Sequence, residues 1–268
     1  DYSALLNNIS STSAYRETVT VTIPEGYTVE EIFKLMENKG VCSYDDLMKA
    51  AQEETFDFAF LKEVKTTKEK RLEGYLFPDT YEFYKGADAK NVINTMLKNF
   101  DERFDSKMEA EMQLLGYSKN DIIIMASIIE KETGLATDRH LVSSVFNNRL
   151  SIGMPLQTDP TVIYGLGEKF SGNITRKDLQ TPTPYNTYVI PALPPTPIAA
   201  PTWASIEAAV NPADTRFLYF VSKGDGSSHF SQSLAEHNRA VRQFILNRPK
   251  TQKKAKPKEP QPTKETAR

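Results

Sequence analysis

The sequence predicts an α+β protein, a small β-α-α unit followed by a larger mixed α/β domain built round one buried helix. Three observations carry that reading. Thr18-Val-Thr-Val-Thr-Ile-Pro24 alternates β-branched residues and breaks on proline, as a strand does. Thr28-Val-Glu-Glu31 and Ser43-Tyr-Asp-Asp46 then open two helices with capping signals. Asp121-Ile-Ile-Ile-Met-Ala-Ser-Ile-Ile-Glu-Lys-Glu-Thr-Gly134 is apolar on every face of a helix, and such a helix is buried rather than laid on a surface.

Taken in order, residues 1–16 are polar and Ser-rich and read as a flexible lead-in. Residues 17–65 form the first unit: the strand, a turn at Pro24-Glu-Gly26, a helix to Glu37 stopped by Gly40, and a second helix to about Ala51. Residues 66–247 form the second domain. Its opening, Leu72 to Phe83, is dense in aromatics around Pro78-Asp79 and predicts two short strands. One or two amphipathic helices follow between Asp88 and Leu115, with Val92, Ile93, Met96, Leu97 and Phe100 at helical spacing. Ser118-x-x-Asp121 caps the buried helix and Gly134 is its expected stop. Thr137 or Asp138 caps the next helix, Arg139 to Leu150, ended by Gly153. From Met154 to Thr202 the chain is rich in Pro, Gly, Thr, Asn and Tyr, the composition of a shaped loop surface. A short helix from Trp203 to Val210, strands at Phe217–Val221 and His229–Ser231, and a helix from Ser233 to about Asn247 complete the domain. The Lys/Pro-rich tail, residues 248–268, is expected to be disordered.

Composition excludes several function classes. The net charge is −2, but the tail carries +6, which leaves −8 on the body. An acidic body speaks against a nucleic-acid grip. Cys42 is the single cysteine, so no disulfide framework exists. His140, His229 and His237 lack zinc-site spacing, and no metal or other cofactor is expected. Neither a phosphate loop nor a Gly-x-Ser-x-Gly elbow occurs. No run reaches the length of a membrane span. The start at Asp1, without methionine, reads as a processed or engineered piece, so any anchor would lie outside it.

What remains is the pair of carboxylates at the end of the buried helix. Burial there can raise a carboxyl pKa and make a general acid. Positions i and i+2 diverge by about 200° on a helix, so Glu130 and Glu132 cannot face one substrate together. Glu130 lies over Ala126 and Ser127, a small-residue face that another group can approach. Glu132 lies over Ile128 and Ile129, a face better suited to packing. The competing reading makes both glutamates satisfied ends of a core helix, paired with Lys131 or an arginine.

Ala126-Ser-Ile-Ile-Glu-Lys-Glu-Thr133 resembles the catalytic motif of the endolytic murein transglycosylases of the YceG-like (MltG) family. Further blocks resemble the same family in order: Leu72–Tyr81, Val145–Leu150, Met154–Gly165, Pro184–Tyr188, Leu193–Pro195, and Tyr219 through His229-Phe-Ser231 to Asn238. Together they cover roughly residues 18–247. The proline-rich block departs from the family pattern: Ala192, Thr196, Ala200 and Thr202 stand where glycines and an asparagine are usual, which narrows the backbone freedom there.

The resemblance implies a bacterial single-pass membrane protein with this part outside the cytoplasm, working beside cell-wall synthases. It implies cleavage of the MurNAc–GlcNAc β-1,4 bond within nascent glycan strands, leaving 1,6-anhydro-MurNAc ends. Glu130, first of the Glu-Lys-Glu motif, is then the single acid/base, protonated through its burial, and Glu132 falls to a structural role. The β-α-α unit is similar to a LysM-like subdomain. Gln157, Asp159, Tyr164, Tyr185, Asn186 and His229 become candidate glycan contacts. Glu73 and Arg149 become candidate partners of Glu130, or else a structural ion pair. The alternatives are a non-catalytic glycan-binding or scaffold protein of the cell-wall machinery, or a muramidase that uses water.

Overall fold

The computed structural model describes residues 17–64, 66, 68–104 and 106–247, so the expected lead-in and basic tail lie outside the described residues. Strand β1 (Thr18–Thr22) leads into helix α1 (Val29–Asn38), whose start carries the full capping box: Thr28 accepts from the Glu31 N–H, and Glu31 accepts from the Thr28 N–H. Val29, Ile32, Phe33 and Met36 are buried along one face of α1. Helix α2 (Tyr44–Glu53) is capped by Ser43, whose hydroxyl accepts from the Asp46 N–H, and buries Leu47, Ala50 and Ala51.

Strand β1 is paired from beyond residue 65. Strand β2 (Thr80–Tyr84) runs antiparallel to it, with Val19 opposite Phe83 and Val21 opposite Tyr81. The first unit is therefore β-α-α-β. Only one strand forms where the sequence predicts two. Residues up to Leu72 wind through a 3-10 turn, and Leu72, Tyr75 and Leu76 are buried in succession rather than alternately. Gly74 sits in the left-handed region at φ 83°, and a Cβ there would lie 2.5 Å from Pro197, so the chain needs a glycine twice over.

The long amphipathic segment divides into α3 (Ala89–Asp101) and α4 (Ser106–Leu115). Helix α5 (Lys119–Glu132) is the buried helix; Ser118 and Asp121 form its capping box, and every residue from Ile122 to Ile129 is buried. Each such isoleucine contributes about 2 kcal/mol of apolar burial. The helix ends at Thr133, whose backbone is extended, and not on a left-handed Gly134. Gly134 is needed for proximity: a Cβ there would lie 3.3 Å from the Gly226 carbonyl oxygen.

Helix α6 (Arg139–Ser151) follows a 3-10 turn. Asp138 does not cap it; its carboxylate accepts from the Ser228 N–H at 2.7 Å and holds the later hairpin instead. The Pro-rich stretch contains α7 (Asp159–Leu166) and the short α8 (Arg176–Gln180). Helix α9 (Trp203–Val210), capped by Thr202, packs on α5. Strands β3 (Tyr219–Ser222) and β4 (Ser228–Ser231) form a hairpin in which Val221 pairs with His229, and α10 (Leu234–Val241) closes the described chain with a wide turn after it. No helix among the described residues is long and apolar enough to cross a membrane.

Candidate active site

Two residues apart on α5, Glu130 and Glu132 enter different surroundings. The Glu130 side chain is 9% exposed, and its Oε2 accepts three hydrogen bonds: from the Thr202 N–H at 3.0 Å, the Thr202 hydroxyl at 2.6 Å and the Ser205 hydroxyl at 2.7 Å. Arg139, also largely buried, stands 3.6 Å from Oε1. Three of these groups belong to the first turn of α9, where unpaired N–H groups favour an anion. The small-residue face of α5 is indeed approached by another group, but that group is the protein's own loop. The Ile198 N–H donates to Ser127 Oγ at 3.0 Å, and Ala200 exchanges backbone hydrogen bonds with Gly26 and Tyr27. Glu130 thus fastens the Pro-rich loop and α9 to the core helix.

Glu132 is half-buried and faces a cavity of about 390 Å³, walled by Arg149, Gln157, Asp159, Tyr188, Tyr219 and His237. Its carboxyl is pushed up to about 7, first by burial and then by the charge of Asp159, with Arg149 pulling the other way. The raised acid expected at the helix end is on Glu132. Asp159 opens α7 and accepts a 2.6 Å hydrogen bond from the Tyr188 hydroxyl. Arg149 is buried; its guanidinium donates to the carbonyls of Leu218 at 2.6 Å and Leu156 at 2.7 Å, beside the Tyr219 ring. It is a frame for the loops and a positive charge behind the cleft, and it makes no contact with Glu130.

The other candidate residues separate into three places. Gln157 and Asp159 line the Glu132 cavity. Tyr164 donates to Glu73 Oε2 at 2.9 Å, and the two line a different cavity of about 350 Å³ with Lys70, Met48 and Phe170. Glu73 also accepts from the Val29 N–H at 3.0 Å, and burial pushes it up to about 7. Its partners are therefore α1 and Tyr164, and it does not orient Glu130. Tyr185 is buried with its hydroxyl 2.7 Å from Thr196 Oγ1. Asn186 is fully buried and spends its carboxamide on the carbonyls of Asp178, Leu179 and Thr181 and on the Tyr188 N–H. Both hold loops in shape and offer no face to a ligand. His229 sits on β4 beside Phe244, paired with Val221, and is not among the residues that wall the cavity.

The substituted positions of the Pro-rich loop cause no backbone strain. Among non-glycine residues described, only Gln157 has positive φ. The Thr196 and Thr202 hydroxyls instead gain partners, Tyr185 and Glu130. Tyr188, Tyr219 and His237 lie within the family-like blocks, yet nothing in their spacing marks them; three separate loops and elements bring them together. Among the described residues no cluster of three His, Cys, Asp or Glu could hold a metal ion.

The model of the YceG-like family matches residues 1–243. The chain belongs to the YceG-like family. It is 35% identical to an endolytic murein transglycosylase of Bacillus subtilis, over 92% of this chain and 71% of that protein. It is 30% identical to one from Streptococcus pneumoniae, over 84% of this chain but 44% of the longer relative. A crystal structure of a yceG-like protein from Listeria monocytogenes superposes with a TM-score of 0.70 at 33% identity, covering 89% of this chain and 80% of the other.

Proposed function

We propose that the protein is an endolytic transglycosylase of peptidoglycan, and that its acid/base is Glu132. One observation carries the assignment: Glu132 is the family-motif carboxyl that faces an open polar cleft with its pKa pushed up to about 7. Glu130, which the helical face favours, has its Oε2 filled by three donors and its Oε1 turned to Arg139. In the proposed reaction protonated Glu132 gives its proton to the glycosidic oxygen of a MurNAc–GlcNAc bond as the C1–O bond breaks. The carboxylate left behind takes the proton of the MurNAc C6 hydroxyl as that oxygen attacks C1. A 1,6-anhydro end forms, no water enters, and Glu132 returns to its starting state. The β-α-α-β unit would act as a LysM-like glycan contact, and the whole protein would work at the outer face of the bacterial membrane beside cell-wall synthases.

The test is purified glycan strands treated with the wild type, Glu132→Gln and Glu130→Gln, with product ends read by mass spectrometry. Anhydro ends from the wild type and none from Glu132→Gln are expected. Full activity of Glu132→Gln removes it from the mechanism. A second reading has support in Asp159, a second carboxylate on the same cleft, as a water-using muramidase would require. Reducing ends without anhydro ends would establish it. Glycan binding with no product from any variant would leave a scaffold.

A further inference from the structure

Gln157 is the single non-glycine residue among those described that is held in the left-handed region, at φ 55°. An L-residue with a Cβ resists that conformation unless its surroundings impose it. Here two clamps do so. On one side Arg149 grips the carbonyls of Pro155 and Leu156. On the other, the carbonyl of Thr187 accepts from the Gln157 N–H at 2.9 Å, and its hydroxyl accepts from the Thr158 N–H at 3.0 Å. Thr158, Thr161 and Thr187 are all buried, and their hydroxyls form one knot, with Thr161 and Thr187 2.8 Å apart. The twisted backbone delivers the Gln157 side chain, exposed and with no hydrogen bond to any of the described residues, to the wall of the Glu132 cavity.

Two of the charged neighbours cannot do what a carboxamide does. Asp159 only accepts and already holds the Tyr188 hydroxyl, while Arg149 only donates and is committed to backbone carbonyls. Gln157 offers a neutral donor and acceptor side by side, the complement of a secondary amide. Phe220 and Val221 in the same wall offer apolar surface of the kind an acetyl methyl requires. We propose that Gln157 reads the acetamido group of an N-acetylated amino sugar, and that the strained loop is kept to aim it. This rests on the reading that a glycan strand occupies the Glu132 cleft.

Gln157→Gly separates the roles, because glycine accepts the left-handed backbone while removing the amide. On N-acetylated strands kcat/KM should fall by about tenfold or more, with the Tm unchanged or about 2 °C higher. Wild type should prefer N-acetylated over de-N-acetylated strands, and the variant should lose that preference. Gln157→Asn, also tolerant of this backbone but shorter in reach, carries the same comparison should the glycine variant fold poorly. A variant that folds and retains the wild-type preference overturns the inference. If Glu132→Gln is inactive while that preference persists, only Gln157 has been misassigned. If Glu132→Gln stays active, the cleft reading falls and this one with it.

Discussion

Glu130 and Glu132 end the same apolar helix, yet one is bonded to the start of α9 and the other faces a cleft and is the proposed acid. What separates them is the element each meets after leaving α5. Glu130 meets the start of α9, whose hydroxyls and N–H fill one oxygen and fix the carboxyl in place. Glu132 meets the cleft, where burial and the Asp159 charge hold it near neutrality with a proton to give. Being well held favours structure; being poorly solvated but accessible favours proton transfer.

The largest expected effect is on activity. Glu132→Gln should lower glycan cleavage by at least about a thousandfold with the fold intact, as removal of a general acid does. Glu130→Ala should act on stability, leaving the α9 donors and Arg139 without their partner at a cost of about 3 kcal/mol. At this chain length that is a Tm drop of about 6–12 °C, with the folded fraction still cleaving. The reverse pattern in calorimetry and glycan assays would exchange the two assignments.

Glu73 sharpens the contrast, because it too is pushed up to about 7 and lies by a cavity. A carboxyl whose folded pKa is raised binds its proton more tightly in the fold than in the unfolded chain. Its penalty is absent below about 4.5 and grows as pH rises towards 7. Both Glu73→Gln and Glu132→Gln should therefore gain stability, about 3 kcal/mol or less, at pH 8 relative to pH 4. Only Glu132→Gln should abolish cleavage. Loss of cleavage in a folded Glu73→Gln protein would mean that the second cavity takes part in the reaction.

Asp159 can be tested through the shape of the pH profile. The proposed reaction needs Glu132 protonated, so activity should fall as pH rises through about 7. Asp159 pushes Glu132 up, whereas Arg149 pulls it down; Tyr188, Tyr219 and His237 complete the facing groups. Asp159→Asn removes an upward push, and the alkaline limb of kcat/KM should move to lower pH. An unmoved limb would show that Asp159 does not act on the acid.

Local signals were legible and long-range ones were not. The capping boxes at Thr28, Ser118 and Ser233 fix helix starts because the partner lies three residues away in the same turn. The pairing of β1 with β2, the different surroundings of Glu130 and Glu132, and the burial of Tyr185 and Asn186 depend on segments tens of residues distant. Helical phase correctly placed a small-residue face beneath Glu130, but phase says nothing about what fills it. Met154–Thr202 looked like a surface because its residues suit turns; Asn186 and Thr187 use those same polar groups to knit the loops internally.

The smallest effect probes the fastener from its other side. Thr202 both caps α9, accepting from the Ser205 N–H at 3.1 Å, and donates its hydroxyl to Glu130 at 2.6 Å. Thr202→Gly removes both bonds but keeps the backbone N–H that also reaches Glu130 at 3.0 Å. A glycine cap loses only a few tenths of a kcal/mol, and the carboxylate bond adds about 1 kcal/mol more. Urea unfolding should show a loss of about 1–2 kcal/mol with kcat/KM unchanged. If cleavage instead falls in parallel with the lost hydroxyl, Glu130 is coupled to the chemistry, and the boundary between fastener and acid is not where the geometry draws it.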